Sequence, residues 1–258
     1  MRLILLVFAM VGFSATSSAL GAEFSYHGNS RQIQISGVIN TGDYDKFLKY
    51  LLKEGRYVYL LRAGIVLKSS GGNVREALKF ANLFDKFFVS TFVLKGDICS
   101  SACFLIWSGG AMRTNQGSLG IHRLTMVTDS IDIRHDEAVN RPVSQSIDSF
   151  LVKVGIPRKI IDKMQETSPK SLFLIDNQWE AYTEVDTAFN PAFIDVAEKV
   201  CGPEPVAEAK RTGVNLSTEK AGVFVDCAFM VQEENQNLHM HELLDELIPQ
   251  LKLYHDKN

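Results

Sequence analysis

Between residues 31 and 122, short apolar runs alternate with amphipathic helical stretches, and that alternation restricts the chain to an α/β fold with a largely parallel sheet and right-handed crossovers. Residues 31–39 put Ile33 and Ile35 on one face in the two-residue period of a half-buried strand, with Gly37 near its end. Asp43 is read as the cap of a helix that carries Phe47, Leu48, Leu51 and Leu52. Ile65-Val66-Leu67 is apolar throughout, as in a strand buried on both faces. It breaks at Ser69-Ser70-Gly71-Gly72-Asn73, after which Ala77, Leu78, Ala81, Leu83 and Phe84 define a second amphipathic helix. Residues 89–94 are read as strand, residues 102–107 as a wholly apolar helix ended by Gly109-Gly110, and residues 117–122 as a short strand finishing in His122.

Further along, residues 124–141 are polar enough to read as an exposed loop. Residues 143–154 return to helical spacing, Pro157 opens another helix, and Asp176 is placed to cap a third near Asn177. Residues 193–200 read as a last strand, and the final helix carries Met240, Leu243, Leu244 and Leu247 on one face before Pro249. A chain of 258 residues with 46% hydrophobic and 22% charged residues has material for one large domain plus a small unit. We therefore expect a core over residues 23–195 and a C-terminal extension over 196–258. A net charge of −3 with no basic patch excludes an electrostatic case for nucleic acid or an anionic membrane as partner.

Residues 1–22 have the pattern of a cleavable leader: Arg2, an apolar core from Leu3 to Phe13 too short to span a bilayer, then small residues with cleavage after Gly21 or Ala22. The expected location is the periplasm or the medium, with no transmembrane span after cleavage. Export would put the four cysteines in an oxidising compartment. Cys201 and Cys227 would staple the C-terminal extension. Cys99 and Cys103, four apart, are either a clamp on the turn between them or two buried thiols.

That turn, Cys99-Ser100-Ser101-Ala102-Cys103, holds the nucleophile candidate. A hydroxyl at the first turn of a buried helix has unpaired backbone N–H groups and the positive helix end beside it, the setting that stabilises an acyl oxyanion. Ser101 is assigned that role and Ser100 the helix cap. Eight or nine helical residues travel about 12–13 Å and four to five strand residues bring the chain back about as far, so His122 can return to the level of Ser101. Arg113 is read as a loop residue that binds a substrate carboxylate or, in preference, makes a surface or intersubunit ion pair. His239-Met240-His241-Glu242 has the wrong spacing for metal ligation, so no metal site and no cofactor are expected.

Two glycine turns, a serine at a helix start and a histidine on the next strand, in this order, resemble the Clp peptidase/crotonase superfamily. The nearest likeness is to exported proteins of that fold with a Cys-x-Ser-Ala-Cys signature. The resemblance covers about residues 30–190 and implies a ClpP/crotonase-like core of repeated β-β-α units, with the C-terminal appendage outside it. It implies Ser101 as nucleophile, His122 as general base, and an oxyanion hole from the backbone N–H groups of Gly71-Gly72-Asn73 and of Ala102. It also implies an Asp before the last core strand, where this chain has Ser168-Pro169-Lys170-Ser171-Leu172-Phe173 and no carboxylate. The third triad member is therefore unassigned: Glu166 comes too early, Asp176 reads as a cap, and nothing selects among Asp129, Asp132 and Asp136.

The expected function is an exported serine hydrolase, a peptidase acting on a peptide or protein through a Ser-His acyl-enzyme, as a monomer or a homo-oligomer. The alternative is a non-catalytic binding or assembly module that keeps the fold and the groove, for which the missing acid speaks. Acyl-CoA chemistry fits the glycine turn but not export.

Overall fold

The computed structural model describes residues 21–27, 32–53, 64–123, 133–175, 179, 187–213 and 219–255. Residues 1–20, where a leader is expected, and Asp129, Asp132 and Asp176 lie outside the described residues. The chain is an α/β protein with a mixed, mostly parallel sheet. Its strands are β1 (Glu23–His27), β2 (Gln32–Ile39), β3 (Ile65–Gly72), β4 (Thr91–Val93), β5 (Ile98–Ser100), β6 (Arg113–Asn115), β7 (Ser118–Ile121) and β8 (Phe173–Ile175). Its helices are α1 (Asp43–Leu52), α2 (Val74–Lys86), α3 (Ala102–Ser108), α4 (Ile133–Lys153), α5 (Arg158–Glu166), α6 (Pro191–Cys201), α7 (Pro203–Thr212) and α8 (Glu219–His255).

Strand β3 organises the sheet because it forks. It runs parallel to β2 on one side, with Ile33 opposite Ile65. On the other side its first half pairs with β4 (Ile65 opposite Thr91) and its second half with β5 (Ser69 opposite Cys99). The two branches continue in parallel, β4 to β6 and β5 to β7. Antiparallel β1 and β8 flank β2 and β7. The three-residue β5 was not read from the sequence, since Ile98-Cys99-Ser100 resembles a turn into the next helix.

The core follows the apolar spacing. Ile33, Ile35, Ile65 and Leu67 are fully buried, and α1 and α2 add Phe47, Phe80 and Phe84. Phe24, Phe47 and Phe80 interlock, with the Phe47 centroid 5.2 Å from each of the other two. Each such side chain contributes about 2–3 kcal/mol by leaving water. A second apolar cluster joins Phe88, Ala111 and Met112 to Phe193, Val206, Phe224 and Val231, and so seats α6, α7 and α8 on the sheet domain. Two buried glutamines add polar contacts there: Gln232 donates to Ser90 Oγ (2.9 Å) and Gln236 to the Phe87 carbonyl (2.9 Å). Cys201 and Cys227 form a disulfide with Cα atoms 5.8 Å apart, tying α6 to α8.

Several sequence expectations are corrected. Residues 193–200 lie in helix α6 rather than a strand, because Asn190 caps it by accepting from the Ala192 N–H (3.0 Å) and Pro191 occupies its first turn. The polar stretch 124–141 is not all loop, since α4 starts at Ile133. The last helix begins at Glu219 and runs through Pro249 to His255; the side chains of Met240, Leu243, Leu244 and Leu247 lie outside the described residues. Asp43 does not cap α1, whose N-cap is Gly42 at φ +89°. The Asp43 carboxylate instead accepts from the Ala22 and Asn40 N–H groups.

Arg113 is neither a loop residue nor half of a surface ion pair. It starts β6, is fully buried, and its guanidinium donates to main-chain carbonyls of Thr187 (2.6 Å), Ser108 (2.7 Å), Val154 (2.8 Å) and Phe189. Ser108 ends α3 and Val154 follows α4, so the cation meets the negative ends of two helices. Replacing it by methionine would leave these acceptors dry. We expect Arg113→Met to lose about 3–5 kcal/mol in urea unfolding; a loss below about 1 kcal/mol would show that the carbonyls find other donors.

Candidate active site

Three neighbouring parallel strands, β3, β5 and β7, end on the same side of the sheet, and the candidate residues sit at those ends. The glycine turn closes β3, Ser101 follows β5, and His122 follows β7. Ser100 is paired with Gly120, and the Ser101 N–H donates to the Gly120 carbonyl (2.8 Å). Ser101 and His122 thus leave adjacent strands within about one residue of the same level. Both are half-buried.

Ser101 has φ +57° and ψ −125°, and Phe88 is the other non-glycine residue at positive φ among the described residues. A serine held there costs about 1–3 kcal/mol and persists because its surroundings fix it. The chain must turn sharply from β5 into α3 while Cys99 and Cys103, both fully buried, are joined in a disulfide with Cα atoms 5.2 Å apart. The four-residue spacing left two readings open; the structure takes the clamp. Ser101, not Ser100, is the N-cap of α3, and its side chain makes no capping bond. Ser100 Oγ donates to the Ser70 carbonyl (3.1 Å), which commits the competing hydroxyl to β3.

Glycine is required opposite this turn. A Cβ on Gly71, at φ +99°, would lie 2.6 Å from Ser100 O, 2.7 Å from Ser101 Cβ and 2.9 Å from Ala102 N. A Cβ on Gly72 would lie 2.1 Å from Ile39 O. The turn's own N–H groups are not all open: Gly71 N–H donates to Ser69 Oγ (3.0 Å) and Asn73 N–H to Ile39 O (2.7 Å). The Asn73 side chain caps α2 through the Glu76 N–H (3.1 Å) and donates to Thr41 Oγ1 (2.9 Å). Ala102 opens α3, where an N–H has no acceptor within the helix.

His122 Nδ1 lies 3.0 Å from the Arg123 carbonyl oxygen. A carbonyl only accepts, so Nδ1 is the donor in this contact, and in the neutral imidazole Nε2 is then the acceptor. Arg123 is anchored in turn through its N–H, which donates to the Thr167 carbonyl (2.9 Å) at the end of α5. Sequence reading missed this pair because both acceptors are main chain. Glu166 is exposed and stands 3.9 Å from Lys163 Nζ. Asp129 and Asp132, like the Asp136 side chain, lie outside the described residues. Far from these strand ends, His239 Nδ1 is 3.1 Å from Glu242 Oε1, and Glu242 also pairs with Lys86. Lys86 and then His239 hold the Glu242 carboxyl down at about 2. Among the described residues no cluster of potential ligands could hold a metal ion.

No family model and no curated protein matches the chain. Among solved structures it is distantly similar to a point mutant of the 1510-N membrane-bound stomatin-specific protease, at 18% identity and TM-score 0.40 over 52% of this chain and 67% of that one. It is likewise similar to ClpP1 from Listeria monocytogenes, at 17% identity and TM-score 0.41 over 58% of this chain and 84% of that one. A third is another point mutant of the stomatin-specific protease, in complex with a substrate peptide, at 18% identity and TM-score 0.39 over 52% of this chain and 64% of that one.

The fit of the glycine turn against Ser101 can be measured with an internal control. Gly96 has φ +86° but open space around a built Cβ, so Gly96→Ala carries backbone strain alone, about 1–2 kcal/mol. Gly71→Ala adds the three close contacts, and we expect it to lose at least about 2 kcal/mol more in urea unfolding. Equal losses would show that the turn relaxes away from Ser101 at no cost.

Proposed function

We propose that this protein is an exported serine hydrolase, a peptidase, that works through an acyl-enzyme on Ser101 with His122 as general base. The observation that carries the reading is the conformation of Ser101: a serine at φ +57° on a strand-to-helix turn, uncommitted to capping and faced by glycine. Strain of this kind aims a nucleophile and is otherwise hard to account for at a residue any cap could replace. In the reaction, Ser101 Oγ attacks the acyl carbonyl while His122 Nε2 takes its proton. The tetrahedral oxygen is held by the Ala102 N–H at the start of α3 and by the Gly72 N–H, which lies between two N–H groups already committed to Ser69 and Ile39. The C–N bond then breaks, the amine leaves with the proton from His122, and water, deprotonated by the same imidazole, hydrolyses the ester.

The third member of the triad is, in this reading, replaced by the Arg123 carbonyl, which fixes the histidine tautomer without supplying a negative charge. Such a site orients its base but stabilises the imidazolium less, so slow turnover on a narrow substrate is the expected outcome. Export is supported by two disulfides in a chain whose cysteines are all paired. Among the described residues no helix is long and apolar enough to cross a membrane. The alternative of a binding module on the same scaffold has one observation in its favour: no carboxylate is found on His122 among the described residues.

A fluorophosphonate probe separates the two. The wild-type protein should be labelled on the peptide that contains Ser101, Ser101→Ala should not be labelled, and Ser100→Ala should be. His122→Ala should slow labelling by at least about a hundredfold. A folded wild-type protein that takes no label leaves the binding module as the function.

A further inference from the structure

Ala22 is fully buried and its main-chain N–H donates to Asp43 Oδ2 over 2.7 Å. Asp43 is only 5% exposed. The same Oδ2 accepts from the Asn40 N–H (2.7 Å), while Oδ1 has Lys46 Nζ at 3.9 Å with 54% of the lysine side chain exposed. Lys46 directs its ammonium to the Ala22 carbonyl instead (2.5 Å). A buried carboxylate whose two close partners are neutral amides, and whose nearest cation stands 3.9 Å off on a largely exposed side chain, is only weakly compensated for its burial. The chain just before it leaves no room for a side chain: a Cβ on Gly21 would lie 2.6 Å from Oδ1 and 3.0 Å from Oδ2.

The sequence at this point is Ala19-Leu20-Gly21-Ala22, with small residues two apart ahead of the Gly21–Ala22 bond, the pattern a leader peptidase cuts. We infer that cleavage after Gly21 turns the Ala22 nitrogen into an α-ammonium that is the buried counterion of Asp43. The inference rests on the export reading and goes beyond it. Hydrolysis of the Gly21–Ala22 peptide bond places the hydroxyl of water on the departing Gly21 carboxyl and a proton on the Ala22 amine. At neutral pH the amine takes a second proton from solvent. The nitrogen already stands where the ion pair needs it. Cleavage one residue later would instead remove this donor and leave Glu23 at the chain start beside a carboxylate. Through Asn40 the new pair would brace the end of β2, whose Ile39 carbonyl holds the Asn73 N–H of the glycine turn.

The test is made on the full chain expressed with its own leader in an exporting bacterium. N-terminal sequencing of the soluble product should give Ala22. A start at Glu23 or upstream of Gly21 overturns the inference while leaving export standing; an intact Met1 overturns export itself. A leader exchange that retains Gly21 on the mature chain should lower Tm by about 4 °C or more. Introducing Asp43→Asn into both forms should close that gap, because the ammonium then has no charge to meet. Should Asp43→Asn fail to fold, acylation of the α-amine decides: the Ala22 amine should react at least tenfold more slowly than that of the Gly21-bearing chain in the native state, and equally in urea. Equal Tm values together with equal native reactivity overturn the inference.

Discussion

A helix without a polar face must be enclosed on every side, and α3 is such a helix: all seven of its residues, Ala102 to Ser108, are buried. Much of the domain is its enclosure. It packs against α2 and β3, and the sheet forks around it into the β4–β6 and β5–β7 branches. Its few polar atoms are satisfied at short range, Ser108 Oγ donating to the Phe104 carbonyl (2.7 Å) and Thr91 Oγ1 to the Trp107 carbonyl (2.8 Å). Gly109 lets its end approach α2 so closely that a Cβ there would lie 2.4 Å from the Ala81 carbonyl oxygen. The two ends of α3 then receive opposite treatment. The negative end meets the Arg113 guanidinium, which neutralises it within the protein. The positive end opens at Ser101, the residue of the candidate site.

The candidate site is held by covalent and steric means rather than by charge. A disulfide straddles Ser101, a glycine backbone lies against it, and a main-chain carbonyl sets the tautomer of His122. No ion pair takes part in this arrangement among the described residues.

What could be read from the sequence was what repeats on one face. Ile33 and Ile35 gave β2, Phe47, Leu48 and Leu51 gave α1, and the stripe Ala77, Ala81, Phe84 gave α2, since burial of a face leaves a period in the chain. The serine, the glycine turn and the histidine were legible as a set because each has an unusual local requirement. Features built from main-chain atoms left no such mark. Arg113 is buried by four carbonyls whose side chains have nothing in common, and the Arg123 carbonyl at His122 is anonymous by nature. Residues 193–200 misled because Phe193, Ile194 and Ala197, buried on one helical face, sit among enough apolar neighbours to read as strand. Asn190-Pro191 was the overlooked signal.

The distances along the chain between bonded partners set an order of assembly. The glycine turn, the Ser101 turn and His122 all fall between residues 69 and 122, and their pairings close short loops. The contacts that seat the C-terminal helices are of another kind: Gln232 reaches back 144 residues to Phe88 and Gln236 reaches 149 to Phe87. Loop-closure entropy makes the near contacts the early ones. A chain made from its N-terminus would then assemble β3, β5 and β7 before α8 is complete. Cys99 and Cys103 would be able to pair while the second cysteine pair is still incomplete. The turn at Ser101 would thus be fixed first and the C-terminal staple closed last, so that an interrupted chain stalls with the positive end of α3 already in place.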